Sequence, residues 1–222
     1  MKPGPRRSVS QVDIVDAAFE ILEQKGFAAV SVRGVAAALG LTPTAIYTYF
    51  PSKNALLRAM VEELLSSLDL AAAADTAVDW RSRVLALATA LRARIAEHAG
   101  AMVLVTSGPL DGRHALGLNE ALIAGFMAEG MPQADAARAA YAVRAHVLGV
   151  AALDAAERAV EADAAAPSTA GALWSDAASH PLTEATEHLV AEGAEPSAFA
   201  WGLDRLLDGL LAGTTAGRSA TA

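Results

Sequence analysis

The 222-residue chain has no cysteine, so disulfides and thiolate metal sites are excluded and nothing ties it to an oxidising compartment. Aromatic residues make up only 5% of it although 54% is hydrophobic, so its core must be built mainly from Ala and Leu. No stretch alternates apolar and polar residues as a strand would, and no run of 18 apolar residues occurs. The basic start, MKPGPRRSVSQVD, is followed by no apolar signal core, so a cytoplasmic location without a membrane partner is expected. Also missing are G-x-S-x-G, a P-loop, G-x-G-x-x-G and His-Glu-x-x-His, which leaves no reason to expect catalysis or a cofactor. His180, Glu184 and His188 are spaced four apart, but Pro181 suits the first position of a helix and leaves His180 outside it, which argues against a shared metal site. His98, His114 and His146 form no visible set.

Positive charge is also scarce: 17 Lys and Arg stand against 25 acids, a net −8 that would repel nucleic acid if it were evenly spread. Residues 1–58, however, hold seven basic side chains (Lys2, Arg6, Arg7, Lys25, Arg33, Lys53, Arg58) and four acidic ones (Asp13, Asp16, Glu20, Glu23), a net +3. The rest holds 10 basic and 21 acidic side chains, a net −11. Surface scatter alone can produce such a split, but it is also what a small phosphate-attracting head on an acidic body would show.

The stretch SVRGVAAALGLTPTAIYTYFPSK, residues 31–53, has the pattern of two short helices joined by a tight turn. Val32, Val35, Ala36 and Leu39 form one apolar stripe, and Ser31 can cap it. Gly40 suits a positive φ past a helix end, Thr42 is a good N-cap, and Pro43 suits the first position of the next helix. That second helix, about 43–49, is roughly 10 Å long at 1.5 Å per residue. Pro51 prevents a long continuation, and the size suits a major groove. Ile46 is its apolar anchor, whereas Thr42, Thr44, Ala45, Tyr47, Thr48 and Tyr49 offer small or hydroxyl-bearing groups that suit base edges, thymine methyls and phosphates.

Residues 1–9 read as a flexible basic arm. Ser10 and Asp13 resemble a capping box for a first helix, which carries Ile14, Ala18, Ile21 and Leu22 on one side and ends at Gly26. With the two helices that follow, this makes a head over residues 10–55. Ser52 can cap a long helix from 53 to about 72, whose Leu56, Leu57, Met60, Val61, Leu64, Leu65 and Leu68 give a wide apolar face and which would link head and body. The body, 56–213, is expected to hold helices over about 80–98, 101–106, 114–129, 133–161, 182–192 and 196–212. A mobile loop over 162–181, anchored by Trp174, and a disordered tail over 214–222 complete the expectation. The fold class is all-α: an N-terminal three-helix helix-turn-helix DNA-binding domain, joined by a long helix to a helical ligand-binding and dimerisation domain.

Residues 14–57, with Gly26, the VRGVAAALGLTPTAIYTYFPSK core and the following ALL, resemble the DNA-binding domain of the tetracycline-repressor (TetR-like) family of bacterial regulators. HAGAMVLVTSGP over 98–109 and PLTEATEHLVAEGAEPSAFAWGLDRLLDGL over 181–210 resemble the tetracycline-repressor type of C-terminal domain. The resemblance implies a homodimeric, sequence-specific transcriptional regulator that reads a palindromic operator in double-stranded DNA, a repressor released by a small-molecule effector. It implies that Arg33, Thr44, Ala45 and Tyr47 face bases or adjoining phosphates, and that Ser31, Tyr49 and Lys53 face the DNA backbone. Arg33 opposite a guanine would discriminate most; an Arg33 that touches only phosphate and a Tyr47 packed in the core of the head remain the plainer alternatives. It further implies that the helices over 133–161 and 196–212 pair with their symmetry mates as a four-helix bundle. Independently, Phe199, Gly202, Leu203, Leu206, Leu207 and Leu210 put more apolar surface around the last helix than one neighbour would bury.

On the ligand side the chain departs from the family's namesake. Leu104 stands where the tetracycline repressor has a metal-binding His, Gly108 where it has an Arg before the proline, and Leu87 and Asp69 where it has a drug-contacting Asn and His. Its second-subunit carboxylate has no clear counterpart, although Asp154 is nearby. A magnesium–tetracycline complex is therefore not expected. What remains is an expected cavity lined by Leu64, Leu68, Leu87, Leu91, Met102, Leu104 and Met127, with His146 and Trp174 as polar handles, suited to a largely apolar effector. For each of these residues a plain core position is the alternative, and for the whole chain the alternative is a constitutive or architectural DNA-binding dimer without a ligand.

Overall fold

The computed structural model describes residues 9–75, 77–98, 100–162, 180–189 and 196–219, and every regular element among them is helical. Helix α1 (Gln11–Lys25) opens on a complete capping box: the Ser10 N–H donates to the Asp13 carboxylate at 2.7 Å and the Asp13 N–H to the Ser10 hydroxyl at 3.2 Å. It leaves through Gly26 at φ +77° into a 3-10 turn, Phe27–Ala29. Next come α2 (Val32–Ala38), α3 (Pro43–Tyr47) and α4 (Lys53–Ser66), which buries Leu56, Leu57, Met60, Val61, Leu64 and Leu65.

The helix expected to continue to about residue 72 stops at Ser66. The Ser66 hydroxyl donates to the Glu63 carbonyl at 2.8 Å, and the Asp69 carboxylate accepts from the Ala72 N–H at 2.8 Å to start a separate helix, α5 (Leu70–Ala74). Short polar side chains that bond nearby backbone groups offer the chain an alternative to an unbroken helix. The order then runs through α6 (Trp80–Ala96), α7 (Ala101–Ser107), α8 (Arg113–Ala128), α9 (Gln133–Ala162), α10 (Pro181–Ala185) and α11 (Pro196–Ser219). The helix expected over 182–192 is only the five-residue α10 and a 3-10 turn, Glu187–Leu189. There the Thr186 N–H reaches back three residues to the Thr183 carbonyl, and the Thr186 hydroxyl donates to the Leu182 and Thr183 carbonyls. In the other direction, α11 runs past residue 212 to Ser219 and takes in most of the segment expected to be disordered. Its glycines weaken a helix by about 1 kcal/mol each relative to Ala but do not break it, and no proline follows Pro196. Most of the loop expected over 162–181, Trp174 included, lies outside the described residues.

The chain divides into two compact units that are not consecutive in sequence: Met1–Ser67 with Glu97–Leu116, and Leu68–Ala96 with Gly117–Ala222. In unit one, α4 is bolted to the start of α8. Arg58 makes two bonds to Asp111, at 2.6 and 2.7 Å. Glu62 accepts from the backbone N–H groups of His114 (2.8 Å) and Ala115 (3.2 Å), and lies 3.0 Å from the His114 ring nitrogen Nδ1. A side chain at Gly112 would collide with Glu62, so the glycine admits this cap. On the other side of the unit, Gly100 (φ +83°) lies against Leu22, and the His98 ring stacks obliquely on Phe19 at 4.9 Å with Nδ1 2.7 Å from Glu23.

In unit two, α6 packs on both α9 and α11. Arg92 of α6 makes two bonds to Asp154 of α9 (2.6 and 3.0 Å), both side chains largely buried, and its guanidinium lies 5.0 Å from the centre of the Phe199 ring of α11. Arg81 reaches Asp204 and Asp208 of α11 at 3.0 and 2.7 Å. Trp80 meets Phe126 edge-on at 4.8 Å, and its indole lies so close to Gly125 that any side chain there would strike it.

Burial alone would push the Glu62 carboxyl up, but the bonds from His114 and Ala115 outweigh it and hold it below the usual value of 4.5. A depressed carboxylate contributes stability above its unfolded pKa and loses it as pH falls through the folded one. We expect Glu62→Gln to lower stability at pH 7 by about 1–2 kcal/mol. In paired thermal melts, the gap from the wild type should close as pH falls below about 4.5; a gap that is the same at pH 7 and in acid would show that the charge on Glu62 is immaterial.

Candidate nucleic-acid interface

The turn between α2 and α3 is made by four residues. Leu39 ends α2, Gly40 takes φ +64°, the Leu41 N–H returns to the Ala36 carbonyl at 2.8 Å, and the Thr42 hydroxyl accepts from the Ala45 N–H at 3.3 Å. Behind it Ile14, Val30, Val32, Val35, Ala36, Ile46 and Phe50 are buried. Ile46 is 0% exposed, so the roll of α3 about its axis is set, and Thr42, Thr44, Tyr47 and Thr48 turn outward with Ala45 half-buried. Tyr47 is 50% exposed, which disposes of its packing in the core of the head.

The other expected contacts differ in how free they are. Arg33 is exposed on the first turn of α2. Lys53 is exposed at the start of α4, its ammonium 5.6 Å from the centre of the Phe27 ring. The Ser31 hydroxyl is engaged as the cap of α2, accepting from the Gly34 N–H at 3.0 Å. Tyr49 is half-buried and donates its hydroxyl proton to the Val9 carbonyl at 2.7 Å, so the chain just ahead of α1 is pinned beside the end of α3. No pattern along the chain connects positions 9 and 49, so the sequence alone gives no sign of this contact.

Among the described residues unit two has two small adjoining pockets, both partly open to solvent. One is lined by Val84, Leu87, Ala88, Leu91, Leu118, Leu122, Val143, Arg144 and Val147. The other is lined by Trp80, Arg83, Val84, Leu87, Ala121 and Leu122. Of the residues expected to line a cavity, Leu87 and Leu91 do so here. Leu68 is buried in the same unit, while Met127 is 45% exposed. Leu64 and Leu104 are core residues of unit one, and Met102 is half-buried there. His146 lines neither cavity. It stacks on Phe199 at 5.9 Å beside Gly202, between α9 and α11, where burial pushes its pKa down. Asp154 is occupied by Arg92, and Asp69 caps α5.

The apolar residues expected to face a second copy along α11 divide between core and surface. Phe199, Leu203 and Leu207 are 4%, 0% and 1% exposed within the single chain, so they have no surface left to offer a second copy. Gly202, Leu206 and Leu210 are half-buried, and Trp201 is a large apolar side chain left outside, 70% exposed.

Comparison with known proteins agrees with this arrangement. Residues 14–60 match the family described as bacterial regulatory proteins, tetR family, and residues 73–213 match the tetracyclin repressor-like C-terminal domain. A transcriptional repressor of Mycobacterium tuberculosis is 30% identical over 226 residues, the match covering 93% of this chain and 84% of that one. A transcriptional regulator of Saccharopolyspora erythraea is 29% identical over 141 residues, and the match covers 64% of this chain and 59% of that relative's length. Among solved structures, a chain from Streptomyces coelicolor A3(2) described as a possible TetR family transcriptional regulator superposes with a TM-score of 0.77 at 27% identity, covering 91% of this chain and 99% of that one. BioQ, solved with its double-stranded DNA operator, superposes at 0.65 with 25% identity, covering 92% and 99%.

Tyr49→Phe removes only the hydroxyl that holds Val9. It should cost about 0.5–1.5 kcal/mol of stability and speed amide exchange in the first turn of α1; unchanged protection at that end would show that the pin contributes nothing.

Proposed function

Because the chain belongs to the tetR family of bacterial regulatory proteins, we propose that it is a dimeric transcriptional repressor whose paired heads read a palindromic operator and whose body takes a small-molecule effector. The observation that carries the DNA-reading part is the rigidly set roll of α3, with Ile46 locked inside and Thr44 and Tyr47 presented together on the outer face. In a major groove that face meets base edges and thymine methyls. Arg33 and Lys53 lie on the helices before and after it, Arg33 to reach guanine and Lys53 to neutralise phosphate. The Thr42 and Ala45 positions bring the start of α3 close to the duplex, and Ser31 and Tyr49 hold its supports in place from within. This reading assigns the protein no catalytic role and places it in the cytoplasm with the DNA it regulates.

Dimerisation is supported by an exposed face. Tyr141, Ala145, Gly149 and Leu153 are exposed at every fourth position of α9, and Trp201 and Gly209 are exposed on α11. The span Gln133–Arg158 is apolar enough by length and composition to cross a membrane, yet only 28% of its most apolar window is buried inside the chain. A second copy packed on this face would cover it. Two heads so paired would read half-sites about 34–36 Å apart, or a multiple of that. The effector would act by preferring one of two head separations, and its effect is limited to its difference in affinity between them.

Fluorescence anisotropy on DNA flanking the protein's own gene tests the proposal. Specific binding that survives unrelated competitor DNA is expected, and binding that ignores sequence, or none at low salt, would sink it. Arg33→Ala should weaken specific binding by about 1–3 kcal/mol. Lys53→Ala should weaken all DNA equally and lower the salt slope by about one.

A further inference from the structure

We propose that residues 2–7 are a second DNA-contacting element of the head: Lys2, Arg6 and Arg7 neutralise phosphates beside the half-site that α3 faces, from a starting point set by the bond between Tyr49 and Val9. The inference rests on the reading that the head binds DNA, and it names the source of the head's attraction for phosphate.

Charge carries the first step. Residues 1–58 are net +3, but that whole surplus is Lys2, Arg6 and Arg7, because residues 9–58 hold four basic and four acidic side chains. Compact unit one taken from residue 9 onward, 9–67 with 97–116, is acidic: Lys25, Arg33, Lys53, Arg58 and Arg113 stand against eight carboxylates, a net −3. Arg58 is already paired with Asp111 through two bonds, and Asp16, Glu20 and Glu23 are exposed along α1. The outward residues of α3, Thr44 and Tyr47, are uncharged at neutral pH. Arg33 and Lys53 on the neighbouring helices therefore give the folded head no positive surplus, whereas association with a polyanion draws its sequence-independent affinity from such a surplus.

Position carries the second step. The chain is held at two adjacent residues: Tyr49 donates to the Val9 carbonyl at 2.7 Å, and the Ser10 N–H and hydroxyl each bond the Asp13 carboxylate at 2.7 Å. Tyr49 lies two residues beyond the end of α3, so the chain ahead of Val9 starts beside the reading helix. Arg7 is two residues from that point and Lys2 seven. At about 3.6 Å per residue, all three α-carbons stay within about 25 Å of it. One turn of the duplex is about 34–36 Å, so a duplex seated on α3 brings the phosphates of that half-site and its flank within reach.

Salt dependence tests the proposal. The full chain and its triple variant Lys2→Gln, Arg6→Gln, Arg7→Gln are titrated by fluorescence anisotropy into a random-sequence duplex over a series of KCl concentrations. The slope of log affinity against log salt should fall by about two to three for each head in the variant. On DNA flanking the protein's own gene the variant should lose affinity by the same factor as on the random duplex, because phosphate contacts carry no sequence information. Since the chain has no cysteine, Ser8→Cys gives a single attachment point for iron–EDTA, which should cut that DNA within about one helical turn of the half-site. An unchanged slope, as pairing of residues 2–7 with the α1 carboxylates would give, overturns the proposal. So does a loss confined to the specific site, or an absence of cleavage. A wild type that binds no duplex at low salt defeats the DNA-binding reading itself; a wild type that binds, with a variant of equal slope, defeats this inference alone.

Discussion

The turn from Leu39 to Thr42 is the constraint on which the rest depends. It reverses the chain between α2 and α3 in four residues, and every backbone group in it that matters has a partner close in sequence: Leu41 with Ala36, Gly40 with Ala37, Ala45 with Thr42. Gly40 supplies the one left-handed conformation the turn requires, at φ +64°, where a side chain would be strained. Since α3 begins from a fixed point and buries Ile46, its outer face follows without further specification. A five-residue helix has too few internal hydrogen bonds to stand alone, so its shape is lent by the turn and by the core behind it.

Unit two is held by a different kind of constraint, the placement of cations in an apolar body. Arg92 lies between α6, α9 and α11, pairing with Asp154 and covering the Phe199 ring, and Arg81 adds Asp204 and Asp208. Removing one partner of the largely buried Arg92–Asp154 pair would leave a charge without compensation, so the pair defines the relative setting of these helices even where its net stabilisation is small. Trp80 fills the space beside Gly125, and Arg83 on the same helix lines the neighbouring cavity. Helix α8 has a comparable double duty: its first N–H groups are capped by Glu62, while Leu118 and Leu122 farther along it form cavity wall.

Legibility from the sequence followed the range of the interactions. The capping box at Ser10 and Asp13, the caps at Ser31, Thr42 and Ser52, and the stop at Gly26 all act over three or four residues, and each can be read off neighbouring letters. The end of α4 was also written locally, in Ser66 and Asp69, but the apolar run from Leu56 to Leu68 outweighed those two polar residues when the pattern alone was considered. The apolar positions of α11 were visible as a set, whereas their division into core and outer face was not. Phe199, Leu203 and Leu207 differ from Trp201 only in which side of the helix meets α6 and α9.

The sequence by itself determined an all-helical chain, a basic head ahead of an acidic body, and a short reading helix whose outer face carries Thr44 and Tyr47, because periodicity, capping and charge are local properties. Only the tertiary structure decided that Tyr49 holds Val9 across 40 positions, that Glu62 caps a helix 52 residues away, and that Arg81 reaches Asp204 across 123. It also decided that one arginine stands in the otherwise uncharged wall of each cavity described in unit two. Those facts depend on which surfaces meet once the helices pack, and side chains far apart in sequence carry no mark of their future neighbours.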